Sequence, residues 1–397
     1  MNVLLGICGS IAAYKACDLL RLFVKDGHSV KVCMTTNARH FVTPLTLESL
    51  SGSPVYTDEF ALGVRTNAEH IELTKWCDLF VIAPASASVL GKMAAAIADN
   101  PVNTLYLACR KPVLVAPAMN TAMLEHPATG RAMDLLRTDG VHFVEPWCGS
   151  LACGDIGRGK LAPIEDIYAH SLHLLEPRKD FAGKRVLVSA GPTREPLDPV
   201  RYLSNHSSGK MGYALAQALY QRGAEVTLVS GPVSLSVPYG VRCIPVETAT
   251  QMHAAIMEQR HHADVIIKAA AVADFAPAEP GSIKWKKTRE DDVPTLSLTR
   301  NPDILHTLCQ SRQPGQYIVG FAAETHDLER HAREKLQRKG ADMLIANLVG
   351  ADHGGFGRDE NTVEIFTPAG SHGQFSGSKI QVAHAILDQV AMQCTVP

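Results

Sequence analysis

The amino-acid sequence predicts an α/β protein built from two doubly wound, mostly parallel-sheet, Rossmann-like domains in tandem. Three observations predict this fold. The chain has 397 residues, which is more than one hydrophobic core usually supports. Short apolar runs alternate with longer helical stretches in both halves, as in parallel sheets covered by helices on both faces. An apolar run, a turn or loop containing Gly and Ser, and then a helix follow one another at residue 3 and again at residue 186.

The first domain is expected over residues 1–178. Its predicted strands cover residues 3–8, 30–34, 79–83, 113–116 and 141–144, and its predicted helices cover residues 11–26, 87–98, 130–139 and 164–175. Two of the strand runs lack polar alternation, which indicates strands buried on both faces. Because the carboxyl ends of parallel strands meet at one edge of a sheet, the loops after them should form a ligand-binding edge. These loops are residues 9–10, 35–36, 83–86 and 117–120.

Gly9 and Ser10 lie where the first predicted helix begins, and the exposed backbone N–H groups of a helix start favour an anion. We therefore expect these residues to hold a phosphate. The GxGxxG spacing of a dinucleotide-binding loop is absent, since the glycines there are Gly6 and Gly9. A mononucleotide is the preferred ligand.

The second domain is expected over residues 179–397, after a short charged linker at residues 176–180. Its predicted strands cover residues 185–189, 226–229, 265–269, 317–321, 343–346 and 363–366, and its predicted helices cover residues 213–222, 251–259, 328–339 and 380–392. A long loop joins the first strand to the first helix and ends in a Ser and Gly cluster. This loop is either an ordinary connection or a second anion-binding site.

The composition excludes several classes of protein. Charged residues make up 20% of the chain and the net charge is −2, so we expect no nucleic-acid or membrane surface. No basic segment precedes the first apolar run, and no uncharged stretch reaches the ~18 residues of a membrane span, so we expect a cytoplasmic protein. The ten cysteines should then be free thiols. Cys148, Cys153 and His142 do not have the spacing of a zinc site.

Four segments of the first half resemble the flavin-dependent cysteine decarboxylases, in particular the phosphopantothenoylcysteine decarboxylase half of the bifunctional coenzyme A biosynthesis proteins. The segments are residues 9–15 (GSIAAYK), 70–71 (HI), 116–120 (APAMN) and 151–154 (LACG). The resemblance covers nearly all of residues 1–175. It implies bound FMN, because oxidation of the substrate thiol by a flavin creates a sink for the electrons that the departing carboxylate leaves behind.

The same resemblance implies roles for individual residues. His70 acts in the oxidative step, Asn120 holds the substrate carboxylate through its amide, and Cys153 donates a proton in the later reduction. Each residue also has an ordinary structural interpretation, such as Asn120 as a helix cap. The FMN-binding residues that the resemblance implies are Gly9, Ser10, Thr35, Ser86 and Ser88.

Residues 149–160 contain four glycines in twelve residues, too many for a stable helix interior or strand. We interpret this segment as a lid that closes over the substrate. The sequence departs from the family at Lys160, where Arg is common, and at Ser86 and Ser88, where Thr and Asn or Asp are frequent. A lysine in place of arginine weakens any bidentate contact there.

Segments of the second half resemble the phosphopantothenate–cysteine ligase half of the same bifunctional proteins, over about residues 184–393. The segments are residues 186–212, 269–275, 284–287, 301–304 and 320–325. By this resemblance Asp274 and Lys284 engage CTP and Mg²⁺, with Asp274 as the metal ligand, and Asn205 stabilises an acyl-cytidylate. Trp285 replaces the aliphatic residue usual in the family. The other residues implied for the CTP site are Ala270, Asn301, Pro302, Asp303, Ile304, Phe321, Lys335 and Lys339.

The resemblance implies two successive reactions on small molecules. CTP activates the carboxylate of 4′-phosphopantothenate and cysteine displaces CMP, and FMN-dependent decarboxylation then converts 4′-phosphopantothenoylcysteine to 4′-phosphopantetheine. It also implies trimer-forming decarboxylase halves and dimer-forming ligase halves, and hence a homo-oligomer of twelve chains. The preference for CTP over ATP is left open by the sequence.

Two other functions remain as alternatives. The first is an oxidoreductase that uses flavin and NAD(P), because both halves open like a dinucleotide-binding domain. SSGxxG at residues 207–212 is also the style of a nicotinamide-binding loop. The long preceding loop does not fit the tight turn of that fold, and a Walker A loop fails because residue 204 is Ser and residue 211 is Met. The second is a non-enzymatic flavin-binding regulator. The presence of His70, Asn120 and Cys153 together argues against it.

Overall fold

The computed structural model of the chain describes residues 1–58, 69–286, 295–324, 326–348 and 358–394. Within them the chain forms two compact units, Met1–Pro177 and Arg178–Pro397. Each unit contains one large, mostly parallel sheet, which confirms the predicted fold class. The two units are described in turn.

The first unit is organised around a five-stranded parallel sheet with the order β2-β1-β3-β4-β5. The strands are β1 (Asn2–Ile7), β2 (Ser29–Met34), β3 (Leu79–Ala85), β4 (Val113–Pro117) and β5 (His142–Phe143). Every residue of β3 and β4 is buried, as the unbroken apolar sequence of a central parallel strand predicts. This strand order is that of flavodoxin-like sheets, in which the connections change direction between β1 and β3.

Eight α-helices accompany this sheet among the described residues. They are α1 (Ala16–Lys25), α2 (Pro44–Ser51), α3 (Glu69–Trp76), α4 (Ala87–Ala94), α5 (Pro101–Ala108), α6 (Thr121–Leu124), α7 (Pro127–Thr138) and α8 (Ile164–Leu175). The helix predicted at residues 11–26 divides into a 3-10 turn, Ile11–Lys15, and α1. The Ser10 hydroxyl accepts a hydrogen bond from the Ala12 N–H at 3.3 Å and so caps the 3-10 turn.

The sequence analysis did not predict α2, α3 and α5. Each has eight residues, too few to show a clear apolar stripe. Two of them begin with a signal that the sequence does carry, a capping side chain followed by proline. Thr43 precedes Pro44 at the start of α2, and Asn100 precedes Pro101 at the start of α5.

The glycine-rich segment at residues 149–160 is where the prediction was wrong. We expected no strand there, but β6 (Trp147–Ser150) and β7 (Ile156–Lys160) form an antiparallel hairpin. Gly159 shows why glycine suits this hairpin. It has a φ of +127°, and a Cβ atom there would lie 2.2 Å from the Met119 carbonyl oxygen. Glycine therefore lets this strand lie directly against the backbone that follows β4.

The second unit contains an eight-stranded sheet with the order β12-β11-β8-β13-β16-β17-β18-β19. Its strands are β8 (Arg185–Ala190), β11 (Glu225–Ser230), β12 (Arg242–Pro245), β13 (Val265–Lys268), β16 (Tyr317–Glu324), β17 (Met343–Leu348), β18 (Glu360–Thr367) and β19 (Gly370–Ser378). The six strands from β12 to β17 in this order are parallel and have the strand order of the dinucleotide-binding fold. The connections between strands change direction between β8 and β13. The last two are antiparallel.

The long loop after β8 folds into a small antiparallel hairpin, β9 (Arg194–Pro196) and β10 (Tyr202–Ser204). A second hairpin pairs β14 (Phe275–Pro277) with β15 (Leu298–Arg300). The helices of this unit are α9 (Lys210–Gln221), α10 (Ala249–Gln259), α11 (Ile304–Gln310), α12 (Leu328–Lys339) and α13 (Lys379–Cys394). The helix predicted at residues 213–222 therefore begins three residues earlier, directly after Gly209.

The C-terminal part of the predicted linker belongs to the second unit. The Arg222 side chain is 1% exposed, and its guanidinium donates to Asp180 and, at 2.8 Å, to Asp388. The same guanidinium lies over the Phe181 ring, 5.2 Å from its centre. Residues 178–180 are thus fixed to this unit, because the enclosed Arg222 guanidinium pairs with the Asp180 carboxylate of this segment and with Asp388 of α13.

Helices that are long and apolar enough to cross a membrane are not found in the part of the chain that the structure describes.

Candidate functional site

Both sheets have a candidate site at the carboxyl ends of their strands, where the direction of the connections changes. In the first unit this position lies between β1 and β3, and in the second between β8 and β13. Crevices at such positions are the usual binding sites of open parallel sheets. The two sites are described separately.

The first site is a cleft of about 400 Å³ between three segments. The loop after β1 contributes Ser10 and Lys15, the turn after β4 contributes Met119 and Asn120, and the hairpin contributes Cys153. The structure therefore brings together three of the four segments on which the family resemblance depends.

Asn120 and Cys153 are in direct contact although 33 residues separate them. The Asn120 Nδ2 atom lies 3.4 Å from the Cys153 Sγ atom. The Asn120 Oδ1 atom accepts from the Ala122 N–H at 2.9 Å, so the same side chain caps α6. This bond fixes the amide with its nitrogen toward the thiol. On its other side the Cys153 thiol lies 3.3 Å from the Asp155 carboxylate.

The hairpin that carries Cys153 is attached to the turn that carries Asn120. The Met119 N–H donates to the Gly159 carbonyl at 3.0 Å, and the Thr121 hydroxyl donates to the Arg158 carbonyl at 2.7 Å. These two bonds lie on either side of Asn120 in the chain. They hold the amide and the thiol at one end of the cleft.

The loops after β1, β2 and β3 have features that suit the phosphate and ring of FMN. A Cβ atom at Gly9 would lie 2.4 Å from the Asn37 Cβ, so only glycine permits the close approach of these two loops. The Thr35 hydroxyl is buried and has no hydrogen-bond partner among the described residues, which leaves it for a ligand atom. Ser86 caps α4 by accepting from the Val89 N–H, and Ser88 is exposed on that helix.

His70 is not among the residues that line this cleft. It lies half-buried on α3, whose first residue is Glu69, and its carbonyl accepts from the Thr74 hydroxyl at 3.0 Å. The structure thus joins Asn120 to Cys153 within one unit but does not bring the predicted histidine to them. The residues before Glu69 lie outside the described part of the chain.

The second site consists of two adjoining clefts, of about 540 and 380 Å³. Both are lined by the polar or charged residues Lys268, Asp274 and Lys335 and by the apolar Val272 and Phe321. The larger cleft continues along the loop at residues 204–212, and the smaller one continues along residues 300–305. Most of the residues predicted for the nucleotide site therefore lie together.

Asn205 and Asn301 fix the loop after β13 from its two sides. The Asn205 amide donates to the Ala271 and Val272 carbonyls, each at 3.1 Å. The Asn301 amide donates to the Ala273 carbonyl at 2.9 Å. Because this loop carries Asp274, both asparagines determine where that carboxylate lies.

Asp303 begins α11, where it accepts from the His306 N–H at 3.1 Å and also pairs with Lys339. Lys335 and Lys339 both line the smaller cleft, as the four-residue spacing predicts for neighbours on one helix face. Burial lowers the pKa of Lys335, and the nearby Lys339 lowers it further. A phosphate there would meet two ammonium groups in an enclosed place.

Lys268 lines both clefts and is one of the charged residues of this site that the sequence analysis missed; the others are Lys210, Arg300 and Lys379. It is the last residue of β13, and its ammonium donates to the Ala270 carbonyl at 2.9 Å. Burial lowers its pKa to about 8, and the charge of Lys335 acts in the same direction. The available signal was a lysine that ends an unbroken apolar run, at the sheet edge where ligands bind.

Lys284 lies on an exposed loop outside the lining of the two clefts. The next residue is firmly held, since the Trp285 N–H donates to the buried Asp198 carboxylate at 3.1 Å and its carbonyl accepts from Arg201 at 2.8 Å. The Arg201 side chain also lowers the pKa of the Asp198 carboxyl well below its usual range. Lys287 and Thr325, at the ends of two predicted motifs, lie outside the described residues.

The chemistry of the site suits a magnesium ion that arrives with a nucleotide. Among the described residues, Asp274 does not belong to a group of three metal-binding side chains. Magnesium commonly binds through one or two carboxylates together with substrate phosphates and water. Asp274 is an exposed carboxylate in the lining of both clefts, and the half-buried Lys268 and Lys335 lie in the same lining, where they would meet the phosphates that share the ion.

Comparison with known proteins identifies both units. The family model "DNA/pantothenate metabolism flavoprotein C-terminal domain" matches residues 181–393, and the family model "Flavoprotein" matches residues 1–176. Relatives from three bacteria, each named coenzyme A biosynthesis bifunctional protein CoaBC, match along nearly their whole length. Identity is 46% over 394 residues with that of Bacillus subtilis, covering 98% of this chain and 96% of the relative. It is 43% for Vibrio cholerae, covering 99% and 98%, and 41% for Escherichia coli, covering 98% and 96%.

Proposed function

Since the chain belongs to the family of bifunctional coenzyme A biosynthesis proteins CoaBC, we propose that its second unit holds the ligase site and its first unit the decarboxylase site. The chain is an enzyme with both activities. The observation that supports this division best is that the predicted residues form two clusters, each at the direction change of its own sheet.

In the ligase site we propose that CTP and Mg²⁺ bind along the loop at residues 268–274. Lys268, Lys335 and Lys339 would meet the phosphate oxygens, and Asp274 would hold the metal ion that those oxygens share. Asn205 lies one hydrogen bond from this loop, and the carboxylate of 4′-phosphopantothenate would attack the nucleotide beside it. Its amide would stabilise the acyl-cytidylate before the amine of cysteine displaces CMP.

Lys284 would act from the exposed loop, which Asp198 and Arg201 hold through the next residue. Because Lys284 lies outside the clefts in this structure, this role requires that the loop give up its contacts with Asp198 and Arg201 and move toward the nucleotide. This movement would add a positive charge as charge develops on the phosphates.

In the decarboxylase site we propose that FMN binds at Gly9, Ser10, Thr35, Ser86 and Ser88. Bound FMN would supply a reversible electron acceptor for the substrate's thiol. Asn120 would donate its amide hydrogens to the carboxylate of 4′-phosphopantothenoylcysteine and so place it for loss as CO2. Cys153, in contact with that amide, would protonate the carbon skeleton of the enethiol.

The hairpin of β6 and β7 would act as the lid that closes over the substrate. Its docking on residues 119–121 brings Cys153 to Asn120, so one movement would seal the cleft and add the proton donor. We further propose that His70 enters this site from a neighbouring chain of a homo-oligomer, a dodecamer by resemblance. Exposed Leu45 and Ile156 in the first unit and Ile283 in the second offer apolar contact area for such an assembly.

We also propose that the enzyme acts in the cytoplasm, where its ten free cysteines would stay reduced.

Paired variants test whether the two activities belong to separate sites. We expect His70→Asn to abolish CO2 release while CMP is still formed from CTP, 4′-phosphopantothenate and cysteine. We expect Lys284→Gln to abolish CMP formation while CO2 is still released when 4′-phosphopantothenoylcysteine is supplied. Removal of Mg²⁺ with EDTA should stop ligation alone. Loss of both activities in either variant, with folding intact by circular dichroism, would contradict two separate sites. A parallel assay with ATP measures the nucleotide preference.

A further inference from the structure

Three side chains that the two proposed reactions do not use lie together at the start of α12. They are His326, Asp327 and His331, and one ligand atom from each lies within 4.8 Å of the others. Two imidazoles and a carboxylate are ligands that zinc and similar transition metals prefer. Hard ions such as Mg²⁺ prefer oxygen ligands alone.

The backbone brings these ligands together. Asp327 has a φ of +46°, in the left-handed region that non-glycine residues rarely adopt. Asp327 lies directly before α12, and the His326 side chain lies against the first turn of that helix. The His326 and His331 rings then lie edge to face with their centres 5.0 Å apart.

A second contact orients the His331 ring. Its Nδ1 atom is enclosed, has no hydrogen-bond partner among the described residues, and lies 3.5 Å from the Glu324 Oε2 atom. A carboxylate on this side favours the tautomer with the proton on Nδ1, which leaves a lone pair on Nε2. Metal-binding histidines commonly have such a carboxylate behind them.

A positive charge already lies against two of these three side chains. The Arg330 guanidinium lies 3.0 Å from the His331 Nε2 atom and 3.3 Å from the Asp327 Oδ2 atom. The Arg330 side chain is 60% exposed, and it also reaches Glu334 at 3.5 Å, so it can leave the two ligand atoms without losing all its partners. A divalent ion carries twice its charge and binds both atoms more closely.

We propose that His326, Asp327 and His331 form a binding site for a divalent transition metal of the zinc class, with Glu324 as the positioning carboxylate and water as the remaining ligand. The site lies one helical turn before Lys335 on α12, so a bound ion would fix the start of the helix that carries two lysines of the nucleotide cleft.

Calorimetric titration of the full-length protein with ZnCl₂ tests this proposal. We expect one binding event that His331→Gln removes and Asp327→Asn weakens by at least about tenfold. Asparagine tolerates the left-handed conformation at position 327, so that variant should fold. Arg330→Gln should bind zinc more tightly than the unmodified protein, because it removes a competing cation.

A matched control and a second probe separate this site from the cysteines. His262→Gln removes an exposed histidine elsewhere in the second unit and should leave the titration unchanged. Cobalt bound at the site should give the visible bands of nitrogen and oxygen ligands without a thiolate charge-transfer band. Equal zinc binding by the unmodified protein and His331→Gln would overturn the proposal. Ligation and decarboxylation with Mg²⁺ and FMN should persist in His331→Gln, so failure here is distinct from failure of the proposed reactions.

Discussion

The two polar atoms of the Asn120 amide make different contacts. The oxygen caps α6 and the nitrogen faces the Cys153 thiol. Since the cap bond fixes the direction of the amide, the same interaction that begins the helix would also orient the donor that we propose for the substrate carboxylate.

Replacement of Asn120 by aspartate should separate these roles. A carboxylate still accepts the Ala122 N–H, so thermal stability should change little, but it repels the substrate carboxylate and CO2 release should fall by at least about a hundredfold. Asn120→Ala is the matched control, since it loses the cap and about 1 kcal/mol of stability as well. Normal CO2 release by the aspartate variant would contradict the assigned role.

Lys268 gives the ligase reaction an expected pH dependence. Its ammonium is protonated below a pKa of about 8 and loses its charge as the pH rises through that value. The kcat/KM for CTP, which reports the free enzyme, should therefore fall above about pH 8. In Lys268→Met kcat/KM should be low throughout and lack this step, whereas Lys286→Met, on the exposed loop, should retain it. An unchanged pH profile in Lys268→Met would assign the titration to another group.

From the sequence we could predict many site residues, but not their positions relative to one another. Asn120 and Cys153 were predicted for one site and are in contact, and Asp274 and Lys335 line one cleft. Lys268 was missed because a lysine at the end of an apolar run has no periodic pattern. The position of His70 outside the first cleft was equally hidden, because no sequence pattern shows which separate segments the fold brings together.

At the scale of elements, Arg222 on the C-terminal end of α9 joins the start of the second unit to α13. Its guanidinium is buried between Asp180 and Asp388 and lies over Phe181. Removal of the arginine alone should destabilise the protein, because the carboxylates would keep their negative charges without a positive partner.

We expect Arg222→Ala to destabilise the second unit by about 3 kcal/mol, through loss of the charge pairs and of the aliphatic stem that packs there. Arg222→Lys should destabilise the second unit less than Arg222→Ala, because lysine keeps the positive charge. It should still destabilise the unit, because lysine cannot make the two-pronged contact of a guanidinium. Arg242→Ala, on an exposed position of β12, is the control and should change stability little. Urea unfolding followed by circular dichroism measures all three, and equal midpoints would contradict a stabilising role for Arg222.

The elements that the sequence predicted best are the buried parallel strands, because a short unbroken apolar run between helical stretches is typical of a strand covered on both faces. The elements it missed are short or glycine-rich. The hairpin of β6 and β7 was excluded on composition, yet Gly157 and Gly159 are required by close contact with Thr121 and Met119 after β4. No local propensity reports such a contact. The strand at residues 363–366 was predicted and forms part of β18, but its antiparallel orientation was not, because orientation depends on the partner strand. The glycine-containing β19 was not predicted.

At the scale of the whole molecule, the two units should differ in acid sensitivity. In the first unit the His170 ring lies between His142 and His173, with ring centres 6.1 and 6.0 Å away. Burial lowers the pKa of His170 to about 4, and the two neighbouring histidines add to this effect. The unfolded chain, with a pKa near 6.5, binds more protons between these values, so the stability of the first unit should fall as the pH drops from about 6.5 to about 4.

Calorimetry between pH 7.5 and 4.5 should show the melting transition of the first unit moving to lower temperature in acid. The melting temperature of the first unit in His170→Gln should shift less over the same pH range, because this variant lacks the imidazole that gains a proton on unfolding. His126→Gln, which changes an exposed histidine of the same unit, serves as the control. If His170→Gln and the unmodified protein shift equally, another group must account for the acid sensitivity.

The ion pair between Asp180 and Arg222 also determines where this enzyme can be divided into two. A fragment that starts at residue 181, where the family model begins, would lack the carboxylate and expose an arginine that the intact protein encloses. A cut just before Arg178 keeps both partners in one piece. Independent halves, whether made by a protease or by separate genes, therefore have a natural junction at Pro177.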